Sequence, residues 1–233
     1  MTQRVIEINS PSFVCEQHLA ATAGVAELFP VEQPLVLEIG CGTGHFIVDL
    51  ARQQPHRNYL AIDIYNKGCY KTCAKIDAAG LANVRVLRME ARYLLNRFCA
   101  ADSLAAVYVN CPDPWPKKRH RYRRLVNGDF LRLLLYYLHP HGEFFFATDF
   151  TDYAADVAEI LPFHPGYKNR QPTSFSYQLP GYPSSKYMRR FLDQGQPIYY
   201  FHYQRVADFK IRVEELPEIV QGFRIRWGKA ANA

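Results

Sequence analysis

The sequence predicts an α/β fold, a parallel sheet with helices on both faces. Three observations predict it. Short apolar runs alternate with segments of helical periodicity between residues 35 and 162. Their spacing leaves room for the crossover helix that parallel strands need. The first run also enters a glycine-rich turn, Gly40-Cys41-Gly42-Thr43-Gly44, with a helical pattern directly after it.

The elements follow in order. Residues 1–11 read as a loose arm. Phe13, Val14, Leu19, Val25 and Leu28 give residues 12–29 a helical pattern, stopped by Pro30 and Pro34. Leu35–Ile39 reads as a buried strand and His45–Arg52 as the helix behind it. Tyr59–Ile62 is a second strand, ending at Asp63. A helix over Lys67–Ala79 closes at Gly80. Val84–Arg88 and Leu104–Val109 are the third and fourth strands. Phe130–Leu138 is a helix with an apolar face, and Phe144–Ala147 a fifth strand closed by Thr148-Asp149. Tyr153–Leu161 is a helix stopped by Pro162. Beyond it, residues 163–185 are rich in Pro, Gly, Ser and Tyr and predict a long loop with one edge strand. Ile198–Tyr203 is aromatic and β-prone, read as sheet core and surface. Phe209–Val213 and Phe223–Trp227 are further candidate strands.

A chain of 233 residues, 48% of them apolar, can bury a full core. The expected organisation is one domain over 1–233. An arm and helix occupy 1–34, a ligand-binding core 35–162, a substrate-side loop with the last sheet strands 163–205, and an extension 206–233. No apolar run approaches the roughly 18 residues of a membrane span. The start carries acid and polar groups where a signal peptide has an apolar stretch, so a cytoplasmic protein is expected. The six cysteines form no Cys-x-x-Cys pair. Free thiols and no metal are expected.

Net charge is +6, and residues 117–124 alone contain six Lys or Arg side chains. The full segment is Asn110-Cys111-Pro112-Asp113-Pro114-Trp115-Pro116-Lys117-Lys118-Arg119-His120-Arg121-Tyr122-Arg123-Arg124. It suits a rigid acidic corner beside a phosphate-binding surface. The prolines lower the cost of ordering that corner. Asp113 is the candidate for holding a base, or it caps a turn. Trp115 stacks on a base or packs under the loop. Lys117, Lys118, Arg119, Arg121, Arg123 and Arg124 are candidates for phosphate contact. Arg123 or Arg124, just before an apolar helix, is alternatively a structural ion-pair partner.

Glu38 stands two residues before the first glycine. An acid there is awkward beside a pyrophosphate and acceptable beside a cationic ligand. The glycine spacing also departs from the dinucleotide pattern, with His45 at the sixth position. Asp63 is placed to accept from a ribose diol and Glu90 to lie near an adenine edge, unless the glycines only make a turn and the acids only cap helices.

These motifs resemble the bacterial tRNA (guanine-N7)-methyltransferases. Glu38–Gly44 and Asp63 match the broad pattern of class I methyltransferases. Pro112–His120 with Arg123, Arg124 and Leu125 is similar to the more specific family signature, and Thr148-Asp149 to a further motif. The resemblance covers roughly residues 35–205. It implies a Rossmann-like, seven-stranded sheet with an antiparallel last strand, S-adenosylmethionine as donor and tRNA as substrate. The donor set it implies is Glu38, Gly40, Cys41, Gly42, Gly44, Asp63, Glu90, Ala91 and Asn110. Asp113 is the implied catalytic residue. Thr148, Asp149, Ser185 and Lys186 join the substrate set with Asp113, Trp115 and the basic strip. Thr148 is alternatively a helix cap. The chain is expected to act as a monomer or homodimer. Three positions depart from the family pattern. Cys111 stands where Phe is usual, Met188 replaces a Glu in Ser185-Lys186-Tyr187-Met188, and the N-terminal arm has only Arg4 as a basic residue before position 12. Two other readings are a different nucleic-acid methyltransferase and a weakly catalytic tRNA-binding partner protein.

Overall fold

The computed structural model describes residues 5–217. Eight strands form one sheet: β1 Phe13–Val14, β2 Leu35–Ile39, β3 Asn58–Asp63, β4 Val84–Arg88, β5 Leu104–Asn110, β6 Leu138–Thr148, β7 Tyr167–Asn169 and β8 Tyr199–Arg205. Seven helices accompany them: α1 Glu16–Ala20, α2 His45–Gln53, α3 Asn66–Ala78, α4 Ala91–Phe98, α5 Gly128–Tyr137, α6 Thr151–Ile160 and α7 Lys186–Asp193. The strand order is β1-β4-β3-β2-β5-β6-β8-β7. Pairings are parallel except those of β8, which runs antiparallel to both β6 and β7.

The central strands are buried on both faces, as a parallel sheet between helices requires. Leu35, Leu37 and Ile39 join one core with Leu94 of α4, Phe130 of α5 and Tyr153 of α6. Val36, Tyr59 and Ala61 point the other way, toward Phe46 and Ile47 of α2 and Ile76 of α3. A smaller cluster of Ala147, Met188, Ile198 and Tyr200 seats α7, with Cys111, Tyr182 and Phe191 against it.

The N-terminal expectation needs correcting. The 12–29 segment is not one helix. Phe13 and Val14 pair with β4, adding an eighth strand at the sheet edge. Gly24, at φ 154°, then separates α1 from a short 3-10 turn. Nor is the preceding arm loose throughout. Ile6 exchanges hydrogen bonds with the Asn66 side chain at 2.6 and 3.1 Å, which ties the arm to α3. Phe209–Val213 makes no strand, and a 3-10 turn follows at Val213–Glu215. The 223–227 expectation lies outside the described residues. Helices α4 and α7 were not anticipated. No described helix is long and apolar enough to cross a membrane, and all six cysteines are unbridged.

Candidate active site

The glycine turn joins β2 to α2, and backbone conformation, with a tertiary contact at Gly44, dictates its composition. Gly40, Gly42 and Gly44 all have positive φ, at 81°, 56° and 78°. At Gly44 a side chain would also meet the Thr72 Cα at 2.8 Å. Gly68 is the counterpart in α3, where a Cβ would meet the Gly42 carbonyl oxygen at 2.5 Å. Helix α3 therefore closes on the turn through glycine at two places. A glycine inside a helix costs about 1 kcal/mol relative to alanine, so Gly68 was a readable signal.

Glu38 sits on β2, opposite Ala61 of β3 and Tyr108 of β5. It is 1% exposed. One carboxylate oxygen accepts from Asn110 Nδ2 at 3.4 Å, and the other has no partner. Burial raises its pKa to about 8, against the Asn110 bond, with the Asp63 charge adding. A buried acid with a free oxygen beside an open turn fits a ligand ammonium, which would satisfy the oxygen and favour its ionised form. At Gly40 the space a Cβ would occupy is open for 4 Å.

Asp63 closes β3 and accepts from the Gly42 N–H at 2.7 Å and the Tyr65 N–H at 2.8 Å. Its pKa is raised, by burial first, against its backbone hydrogen bonds, with the Asp113 charge adding. Glu90 is the N-cap of α4, accepting from the Tyr93 N–H at 3.0 Å and from Arg92 Nε at 2.8 Å. The capping alternative is therefore realised at Glu90. Ala91 is buried behind it.

The acidic corner follows β5. Cys111 and Trp115 adopt left-handed backbone at φ 43° and 44°, a conformation costing roughly 1–2 kcal/mol for a residue with Cβ. Two fasteners hold it. The Cys111 N–H donates to the Ala147 carbonyl at 2.8 Å, and Arg124 Nε donates to the Pro114 carbonyl at 2.8 Å. Asp113 between them is exposed. Asp149 lies against Cys111, whose thiol pKa is pushed up to about 12 by burial and by that neighbouring charge.

The basic strip divides. Lys117, Lys118 and Arg119 are exposed. Arg124 is 3% exposed and belongs to the fold. Its guanidinium meets Asp156 and the Asp152 carbonyl of α6, in addition to Pro114. Arg121 bridges Asp152 at 2.7 Å and Asp156 at 3.0 Å. Arg123 lies 4.9 Å over the Trp115 ring, and His120 meets that ring edge-on. The expectation of six phosphate contacts is corrected for Arg124, which is buried on its own acids. Arg121 is likewise held by two carboxylates. Thr148 is also inaccessible, 0% exposed, and its hydroxyl accepts the Phe150 N–H at 3.2 Å.

Ser185 is the N-cap of α7 and accepts the Met188 N–H at 3.2 Å. Met188 occupies the third helical position, fully buried, with its sulfur 3.4 Å from the Ser185 nitrogen. Lys186 is exposed, and it lines a cleft with His45 of α2. Tyr182 was missed. Its ring packs between Phe46, Tyr108 and Tyr200, and its hydroxyl donates to Asn110 Oδ1 at 2.7 Å. It links the substrate-side loop to Glu38 through Asn110. No local pattern signals a partner 72 residues away.

A methyltransferase family model, described as "Putative methyltransferase", matches residues 32–201. A Syntrophotalea carbinolica protein named tRNA (guanine-N(7)-)-methyltransferase is 55% identical over 97% of this chain and 98% of its own length. The chain belongs to the tRNA (guanine-N(7)-)-methyltransferase family. A Geobacter metallireducens member of the same name is 49% identical over 88% of this chain and 98% of its own. Among solved structures, the 16S rRNA methyltransferase KamB superposes with a TM-score of 0.56 at 18% identity, over 88% of this chain and 97% of that one. TrmN from Thermus thermophilus gives 0.52 at 23% identity, over 75% of this chain and 45% of that one. At such identities these two likenesses show the fold alone. Family membership and fold agree with the architecture around Glu38, including the antiparallel β8.

Proposed function

We propose that this chain transfers a methyl group from S-adenosylmethionine to N7 of a guanosine in the tRNA variable loop, in the cytoplasm. One observation carries the reading most directly. Asp113 follows β5, which pairs in parallel with β2, so the acidic corner and the glycine turn leave the sheet at the same end, and exposed cations adjoin the corner at Lys117, Lys118 and Arg119.

The donor supplies a sulfonium-bound methyl that is already activated. Glu38 faces the ammonium, the glycine turn admits the methionine portion, and Asp63 takes the ribose diol by trading its backbone partners. Asn110, held by Tyr182, keeps Glu38 in position. N7 of guanine has an in-plane lone pair and no proton, so no general base is required. The work left to the protein is alignment and exclusion of water. Asp113 accepts from the guanine N1–H or exocyclic amine, and its charge favours the cation that develops on the methylated purine. Asp149, beside Cys111, contacts the same base.

A labelled-donor assay on bulk tRNA lacking this modification, followed by mapping of the methylated base, tests the reading. The expected product is 7-methylguanosine in the variable loop. Label at another nitrogen would favour a different nucleic-acid methyltransferase. Donor binding with no transfer to any tRNA would favour a binding partner.

A further inference from the structure

A second cationic surface lies outside the motif that the function uses. Helix α7 carries Lys186, Arg189 and Arg190 on exposed positions, while Met188 anchors it in the apolar cluster. An open cleft of about 570 Å³ runs between this helix and the start of α2, lined by His45, Lys186, Arg189, Arg190, Asp193 and Gln194. Lys75 of α3 stands close to it. The pKa of His45 is lowered, by burial first and then by Lys75, Arg189 and Lys186, with Asp49 opposing. That of Lys75 is lowered too, by burial first and then by Lys71 and Lys186. Two acids face the group, Asp49 and Asp193. Neither closes an ion pair with these lysines and arginines within 4 Å among the described residues.

Like charges gathered without counter-ions repel one another, and an anion relieves that repulsion. The cluster that seats α7 also packs Cys111, the first residue of the acidic corner. The cleft and the corner therefore flank one another on the same support.

We propose that the α7 cleft is a second phosphate-binding site, which grips the RNA backbone flanking the nucleotide held at Asp113. The inference rests on the tRNA methyltransferase reading, which already counts Lys186 toward the substrate, and extends it to Arg189, Arg190 and Lys75. Arg189 and Arg190 supply fixed charge and Lys75 supports them. RNA fits better than a small anion because the charge is spread along a helix and across an open cleft, where only a chain of phosphates meets all of it.

The test uses the full chain with tRNA. Arg189→Ala with Arg190→Ala should weaken tRNA binding about tenfold near 0.15 M salt. It should also flatten the plot of log affinity against log salt by about 2, close to 1 per lost phosphate contact. Donor affinity by calorimetry should hold, and Arg189→Lys with Arg190→Lys should restore most of the slope. An unchanged slope in the alanine variant overturns the proposal. So does loss of donor affinity with tRNA affinity intact, which would assign these cations to the donor. If the unmodified protein binds no tRNA at any salt, the function reading itself fails, a result distinct from all of these.

Discussion

Two basic regions of this molecule look alike in composition and differ in what holds them. The strip from Lys117 to Arg124 is the denser, yet Arg121 and Arg124 are committed to Asp152 and Asp156, and Arg123 lies on Trp115. Helix α7 has only three cations in its first five residues, and none forms an ion pair among the described residues. Charge density along a chain therefore does not measure charge on offer to a ligand. An arginine pinned by two carboxylates has its charge compensated within the protein, whereas one on an exposed turn keeps its charge on offer. In the strip, the committed arginines shape the acidic corner and the residues before them face outward.

The sharpest way to break this contrast is at the corner between the two regions. Asp113→Asn should lower methyl transfer on the order of 10²-fold or more, with donor and tRNA affinities nearly intact, since in the proposed function it removes the charge that favours the developing purine cation. Single-turnover rates with matched binding curves would check this, and a loss confined to tRNA affinity would move Asp113 into the phosphate-binding group. Next in size is Arg124→Met. Losing a buried guanidinium that meets Asp156 and two carbonyls should cost roughly 3 kcal/mol of stability. Urea unfolding reads that loss, and the folded variant should keep the salt slope of tRNA binding. A flattened slope with unchanged stability would return Arg124 to the substrate set.

The outward part of the strip comes third. Lys117→Ala, Lys118→Ala and Arg119→Ala, made singly, should each reduce the salt slope by about 1 and leave stability within about 0.5 kcal/mol. Arg121→Ala should change the slope by less, because its partners hold it away from phosphate.

The smallest effect is a proton count. Glu38 carries a pKa raised to about 8 by burial, from an ordinary 4.5. Below 4.5 it is protonated in both folded and unfolded chains. Between 4.5 and 8 the folded chain holds a proton that the unfolded chain has released, so ligand-free stability falls as pH rises through that window. A ligand cation favours the ionised form, so donor binding near pH 6.5 should release up to one proton, and donor affinity should climb with pH until about 8. Calorimetry in buffers of different ionisation enthalpy measures the release, and Glu38→Gln should abolish it. Variants of either basic region should leave it untouched, which makes it the control for the whole series.

Much of the fold was legible. Leu35–Ile39 and Val84–Arg88 match their strands end to end, and the strand beginning at Leu104 was found to within a residue, because buried parallel strands are short apolar runs bounded by turns. What escaped was marginal by local standards. Strand β1 is two residues long and exists through pairing with β4. Helix α7 is polar around most of its surface and is seated by Met188 alone among its fully buried residues. In the candidate site, the motif placed Glu38 on β2 and Asp63 at the end of β3, and their partners were not readable. Tyr182 reaches Asn110 across 72 residues, and the acids that capture Arg121 and Arg124 lie some 30 positions downstream.

Left to itself, the chain's order of residues determined which chemistry is present. It set glycines where a turn takes positive φ and passes close to α3, an acid before them, and a proline-bound aspartate beside cations, because these depend on residue type and short spacing. Tertiary structure alone decided which charges are free. Whether a cation meets a carboxylate of its own protein or a phosphate from outside is a matter of a few ångströms between segments far apart in sequence, and only the packing of α6 under the corner and α7 beside it sets that distance.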